Sequence, residues 1–362
     1  MRTFAKFLKV PPLKGGRWMK KSLDNYMIQK KTIDDLARAL NLSKSTVSRA
    51  LHDSYQISDE TKQKVRALAD EWGFQLNPMA RGLKTNRSFT LGIVVPEIDN
   101  KYFSKAISGI QDVMLKTGYN LSVKQSNESA EQEYQAIQQL IESRADGLIL
   151  SLSNQSYCIA YLKSLLASGF PVIMFDRASD DVTCSKVIID HEVSAFKATE
   201  HLIEQGCRRI AHLSGPLSLS ITQNRIKGTR RALETYHLPC IPEFFIENGV
   251  TIEHTSDHVL GLMLQPEPPD GISCFSDDVA IEALLTLKKA EIPVPDKVKI
   301  IGFNNQKDCI IIEPNLSSIA HPVYEMGQEA ARLFLKHINT PTCKPQTILF
   351  NTQLIPRAST KQ

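Results

Sequence analysis

Lys44, Ser45, Ser48 and Arg49 share one side of a short stretch whose other side is Val47, Ala50 and Leu51. On a helix this spacing sets cations and hydroxyls over an apolar underside. Such a face can reach base edges or phosphates, because an α-helix fits the major groove of DNA. A solvated face on an ordinary three-helix bundle is the other reading of the same pattern. A second set of polar groups is dispersed: Ser151 and Ser153, Asp176 and Arg177, Asp190 and His191, Ser276 and Asp277, and Asn304 and Asn305. Each follows an apolar, strand-like run. In open parallel sheets ligands collect at the carboxyl ends of strands, and acids, amides and an arginine converging there suit a polyhydroxylated ligand such as a sugar. Any one of them could instead cap a helix. His254 and His258 are four apart and could share a helical face as metal ligands, but no third ligand stands nearby, and they read as solvated or capping residues.

Catalytic motifs do not assemble. Gly-x-Gly-x-x-Gly, the P-loop pattern, Gly-x-Ser-x-Gly and His-Glu-x-x-His do not occur in the sequence. The expectation is a protein that is not an enzyme, with no catalytic residues, no cofactor and no metal.

The elements that would hold the first group are well signalled. Ile33, Leu36, Ala37 and Leu40 recur at helical spacing, opened by Thr32 with Asp35 three residues on, a capping-box pattern. Asn41 tolerates the left-handed turn that ends this helix. Ser43 caps the stretch from Lys44 to Leu51. A third helix begins after Ser58, with Asp59 and Glu60 in its first turn and Val65, Leu68, Ala69 and Trp72 inward. Three small helices sharing one core occupy residues 31–76. Asn77-Pro-Met-Ala-Arg-Gly-Leu83 then reads as a cap, a proline at the first helical position and less than two turns of helix. So short a helix is marginal alone, and Gly82 weakens it by about 1 kcal/mol relative to alanine. Residues 77–88 form a hinge and linker.

Charge divides along the chain. The net +4 conceals +6 over residues 1–27, +4 over residues 28–88 and about −6 beyond. A basic front on an acidic body points to a polyanion at the front alone, although a membrane surface or a solvated tail carries the same signature. Residues 1–30 mix Pro11-Pro12, Gly15-Gly16 and lysines without period, reading as a disordered basic extension. Met27, just upstream of the first helix, is an alternative start. The odd count of seven cysteines, with no Cys-x-x-Cys pair, argues against disulfides or a structural zinc site. Without an apolar run of membrane length or a secretory signal, a soluble, cytoplasmic protein is expected.

Beyond Ser88, apolar strands alternate with amphipathic helices, including 131–143, 194–205, 221–235 and 278–290. This implies parallel sheets covered on both faces, and the length favours two sheets over one. The fold class is therefore a small all-α helix-turn-helix headpiece plus an α/β body of two parallel-sheet subdomains.

The runs Thr32-Ile-Asp-Asp-Leu-Ala, Leu42-Ser-Lys-Ser-Thr-Val-Ser-Arg-Ala-Leu51 and Ile57-Ser-Asp-Glu-Thr closely resemble the DNA-binding domain of the LacI/GalR (lactose-repressor) family. The resemblance continues through Ala80-Arg-Gly-Leu-Lys84, Val94 to Phe103, Phe175-Asp-Arg177, Gly215-Pro, Asn224-Arg225 and Ile301-Gly-Phe-Asn-Asn305. It implies that Lys44, Ser45 and Arg49 make the main base contacts. Thr32, Ser43, Thr46, Ser48 and His52, with Asn77, Ala80 and Leu83 of the hinge, complete the DNA-binding set. In a dimer the two hinges fold on DNA, Leu83 wedging between base pairs in the minor groove.

The resemblance further implies a body like periplasmic sugar-binding proteins, with three crossovers. Its subdomains are expected at 89–189 with 318–345, and at 190–317 with 346–362. Tyr102 and Phe103 would pack on the effector, Ser153, Asp176 and Arg225 would meet its polar groups, and Asp277 and Asn304 would close the cleft. Lys101, where the family often has proline, and Asn304, where it commonly has aspartate, depart from the pattern; an amide donates as well as accepts, which opens the ligand class. The implied partners are a near-palindromic operator, a small effector of carbohydrate type and a second copy of the chain, with no membrane. Pro356 to Gln362 shows no leucine heptad and so no tetramerisation helix. The function expected is that of a sequence-specific transcriptional regulator, a repressor, under small-molecule control. A transport-type solute-binding protein would share the body but not the headpiece.

Overall fold

A computed structural model describes residues 31–51, 53–74, 87–153, 157–249 and 252–361. The basic extension, His52, and the hinge residues Asn77, Ala80 and Leu83 lie outside the described residues. The chain divides into two units, Met1–Thr85 and Asn86–Gln362.

The first unit contains α1 (Ile33–Ala39), α2 (Lys44–Leu51) and α3 (Asp59–Glu71). Capping explains each boundary. The Asp35 amide donates to the Thr32 hydroxyl at 3.3 Å while the Thr32 amide donates to Asp35 Oδ2 at 2.9 Å, closing a capping box. α1 ends with Asn41 left-handed (φ 53°) and with Leu42 N–H on the Ala37 carbonyl at 2.9 Å, the Schellman pattern. Ser43 Oγ then accepts from the Thr46 amide at 3.1 Å, so the next helix starts within a few residues of the turn. Leu36, Val47 and Val65, one from each helix, are fully buried and pin the three together.

The second unit holds two six-stranded sheets. The first has β1 (Thr90–Val95), β2 (Asn120–Gln125), β3 (Gly147–Leu150), β4 (Val172–Phe175), β5 (Ser185–Ile189) and β11 (Thr347–Phe350), in the order β11-β5-β4-β3-β1-β2, all parallel. The second has β6 (Ile210–Ser214), β7 (Phe245–Glu247), β8 (Gly271–Cys274), β9 (Lys299–Asn304), β10 (Ser317–Ala320) and β12 (Gln353–Ile355), in the order β12-β10-β9-β8-β6-β7. Only its β10–β12 pairing is antiparallel. β3, β4, β6 and β8 are buried along their whole length because helices cover both faces.

Among the described residues the chain passes between sheets at three places: Asp190, His321–Pro322 and Asn351–Thr352. The second and third correct the boundaries of 318 and 346. β10 pairs in parallel with β9, so residues 317–320 belong to the second sheet. β11 pairs in parallel with β5, so residues 347–350 belong to the first. Both strands are only four residues long, and which sheet each joins is set by its pairing partner rather than by its own pattern.

Two helices hold the first subdomain's outer layer, α4 (Lys101–Met114) and α11 (Val323–Asn339). They cross closely at Gly109 and Gly327: a Cβ on either would collide with the other helix's backbone, at Tyr324 and Ala106 respectively. The cysteines are all free, five buried, Cys240 exposed and Cys343 half-buried. Among the described residues no helix is long and apolar enough to cross a membrane.

Candidate functional site

On the helical unit, α2 shows its polar side to solvent. Lys44, Ser45 and Arg49 are exposed, Thr46 and Ser48 half-buried, and Val47 and Ala50 buried. Ser43 Oγ lies 2.8 Å from both Ser45 Oγ and Thr46 Oγ1, so three hydroxyls cluster at the start of the helix, where N–H groups and dipole favour an anion such as a phosphate. Lys44 Nζ pairs with Asp34 Oδ1 at 2.5 Å, and Arg49 makes no ion pair among the described residues. Thr32, half of the cap pair, gives its hydroxyl to Asp35 Oδ2 at 2.8 Å. Asp53 binds Lys62 and Arg66 of α3 at 3.2 and 3.0 Å and so holds the segment after α2 against α3.

The second unit contains a cleft at the carboxyl ends of the strands. Asn100 caps α4, its Oδ1 accepting the Tyr102 amide at 2.9 Å, and this first turn carries Tyr102 and Phe103 into the cleft wall. β4 is followed directly by Asp176, whose backbone is left-handed (φ 61°); Asp176 Oδ1 receives the Tyr102 hydroxyl at 2.7 Å. Burial raises the Asp176 carboxyl above its ordinary value against the pull of Arg177, Tyr102 and Arg225, and burial with the Asp176 charge drives the Tyr102 phenol well upward. The phenol therefore stays a donor. Next in sequence, Arg177 clamps both Glu128 oxygens at 2.7 and 2.8 Å and lies 5.8 Å from the Phe103 ring.

The opposite wall belongs to the second sheet. α8 (Ser220–Thr235) delivers Arg225, packed between Phe275 (4.8 Å) and Phe303 (4.3 Å). Its guanidinium donates to the Phe275 carbonyl and, at 3.3 Å, to His191 Nδ1. Burial lowers its pKa to about 10. Asn304, left-handed at φ 105°, lines the cleft as the last residue of β9, as do Ser276 and Asp278 after β8. Strained backbone at two strand ends is frequent at ligand sites.

The structure thus brings together Tyr102, Phe103, Asp176, Arg225 and Asn304 from the expected set. It places the other two behind the walls. Asp277 is fully buried at the start of α10 (Asp277–Lys289), accepting from the Gln306 amide at 2.8 Å and the Ser318 hydroxyl at 2.6 Å, in the space that Gly302 leaves without a side chain. It holds the 304–306 turn in place. Ser153 is buried, its amide donating to Glu133 Oε2 at 2.5 Å, and does not line the cleft.

Sequence reasoning passed over several lining residues. Glu97 and Asn100 stood in the motif without a role, and Arg177 and Ser276 were recognised only as following strands. Glu128 and Asp278 carry no local signal at all, because only the tertiary fold turns them inward. Of the histidine pair, His258 Nδ1 lies 2.9 Å from Asn248 Oδ1, a local structural contact.

Residues 32–77 match the family profile described as bacterial regulatory proteins, lacI family, and residues 199–360 match that of the periplasmic binding protein-like domain. Among curated relatives, the HTH-type transcriptional repressor CytR of Escherichia coli K12 is 31% identical over 91% of this chain and 96% of its own length. Catabolite control protein A of Priestia megaterium is 28% identical over 91% of this chain and 99% of its own. Among solved structures, a lac repressor dimer bound to operator and an anti-inducer superposes with a TM-score of 0.80, at 22% identity, over 92% of this chain and 99% of that one. A LacI family regulator from Enterococcus faecium with bound ribose gives a TM-score of 0.67 at 25% identity, covering 75% of this chain and 98% of that one.

Proposed function

The chain belongs to the lacI family of bacterial regulatory proteins, and on that premise we propose that its operator affinity is set by a sugar or sugar derivative bound in the body's cleft. The observation that carries this reading is the pairing, within one chain, of a capped helix exposing Lys44, Ser45 and Arg49 with a strand-end cleft lined by rings, acids and amides. The family is one of transcriptional regulators, not of enzymes.

In this reading a homodimer acts as a repressor on a near-palindromic operator in the cytoplasm. Lys44, Ser45 and Arg49 contact bases; Thr32, Ser43, Thr46, Ser48 and His52 support them at the backbone; Asn77, Ala80 and Leu83 act in the minor groove. Tyr102 and Phe103 pack against the sugar ring, and Asp176, Arg225 and Asn304 hydrogen-bond its hydroxyls. Asp277 acts through the 304–306 turn. The ribose-bound relative supports a carbohydrate class. Occupancy of the cleft would bias the placement of the two subdomains and hence the ability of the two hinges to fold on DNA.

Selection of duplexes from a random library by the full chain tests the reading. Enriched near-palindromes, with affinity changed by at least one sugar, are expected; no enrichment would rule out sequence-specific binding.

A further inference from the structure

We infer that the cleft takes a polyol bearing no anionic group, and that Glu97 and Asp278, one from each subdomain, enforce this choice. The inference rests on the cleft being the effector site.

The lining carries four carboxylates, Glu97, Glu128, Asp176 and Asp278, against the guanidiniums of Arg177 and Arg225. Both cations are already engaged. Arg177 spends one nitrogen on both oxygens of Glu128, and Arg225 is held by the Phe275 carbonyl, His191 and two rings. A phosphate or carboxylate entering the cleft would have to compete with Glu128 for the Arg177 guanidinium and with the Phe275 carbonyl and His191 for that of Arg225. Arg177 Nε is buried without a partner among the described residues, a single donor suited to one hydroxyl oxygen.

The two remaining acids, Glu97 and Asp278, are hydrogen-bonded to no cation among the described residues. Among the described residues Glu97 makes no ion pair, and burial, reinforced by Glu128, Asp99 and Asp278, pushes its carboxyl above the ordinary value against the pull of Arg177. Among the described residues Asp278 accepts from a neutral side-chain amide, that of Gln306, at 2.9 Å. Lys101, the first residue of α4, is paired with Asp308.

At the start of α4 Asn100 accepts the Tyr102 amide, and at the start of α10 Ser276 accepts the Val279 amide, beside two acids in that first turn. A neutral polyol can donate to every one of these acceptors, and an amine would gain further. An anion would lose its hydration and meet repulsion.

The test is calorimetric titration of the full chain with glucose, ribose, cellobiose and glucosamine, each against its phosphate monoester. At least one unphosphorylated member is expected to bind, its monoester at least roughly tenfold more weakly, and Glu97→Gln/Asp278→Asn should close most of that gap. A monoester binding as tightly as its parent overturns the inference. Silence across the panel counts against the carbohydrate reading instead, and ligand-free stability then decides the charge question. With surplus acids the double variant melts higher than the parent at low salt, and the difference shrinks as salt rises. A variant that melts lower shows the carboxylates to be paired, and the inference fails.

Discussion

Tyr102 and Asp176 are joined inside the cleft wall: the phenol donates to Asp176 Oδ1 at 2.7 Å, and each residue is only 7% exposed. The bond ties the first turn of α4 to the end of β4, so one interaction shapes the ligand surface and satisfies a buried acid.

Tyr102→Phe leaves that acid without its donor in a low-dielectric wall. The expected cost is about 1–3 kcal/mol in the ligand-free protein, seen as a lower melting temperature, together with weaker effector binding by calorimetry. An unchanged melting temperature would mean that Asp176 finds another donor at no cost.

Arg49→Ala should weaken binding to a selected operator by about 1–3 kcal/mol and relax the preference at one base position. Arg49→Lys should not restore the preference, because a bidentate fork reads guanine and a point charge does not. Fluorescence anisotropy on the operator and on single-base variants measures both. A uniform loss over all sequences would assign Arg49 to the phosphates instead.

Acid lability is expected from three buried imidazoles. Burial, with Arg225 adding to it, drives His191 and His321 well below the ordinary 6.5 and His212 to about 3. Below about 6.5 the unfolded chain therefore binds more protons than the folded body, so this contribution is complete above 6.5 and is lost as the pH falls toward the folded values. Asp277 works oppositely: its burial raises its pKa from 3.8 to about 7, so its contribution declines as pH rises across that interval. A comparison between variants separates the two. His321→Gln should flatten the fall in melting temperature on the acid side, and parallel curves for parent and variant would refute the assignment.

Gly327→Ala places a methyl against the Ala106 backbone and must push α11 off α4. Overpacking of this kind costs about 1–3 kcal/mol. A clear drop in the melting temperature of the body is expected; a rise would show that the two helices can separate freely.

The headpiece was legible almost residue by residue. Its boundaries are local events, Thr32 with Asp35, left-handed Asn41 and the Ser43 hydroxyl, and each is written within four residues of chain. Continuous apolar runs likewise announced the inner strands. The weaker strands were not legible in the same way: β10 and β11 are assigned to a sheet by pairing partners, Lys299–Asn304 and Ser185–Ile189, and no local pattern states a partner.

The cleft divides similarly. By itself the sequence determined which residues follow strands, because a strand's end is a local change of pattern, and this yielded Asp176 and Asn304. Only the tertiary structure decided that Asp278 lines the cleft while its neighbour Asp277 turns into the core. That choice depends on the pocket left by Gly302, the Ser318 hydroxyl and the Gln306 amide, groups distant in sequence that a helix start meets only after two strands have packed beside it. The same holds for Glu128, which becomes part of the site because Arg177, far along the chain, reaches across to it. Local propensity sets elements, but the charge balance of a cavity is a sum over surfaces brought together by packing.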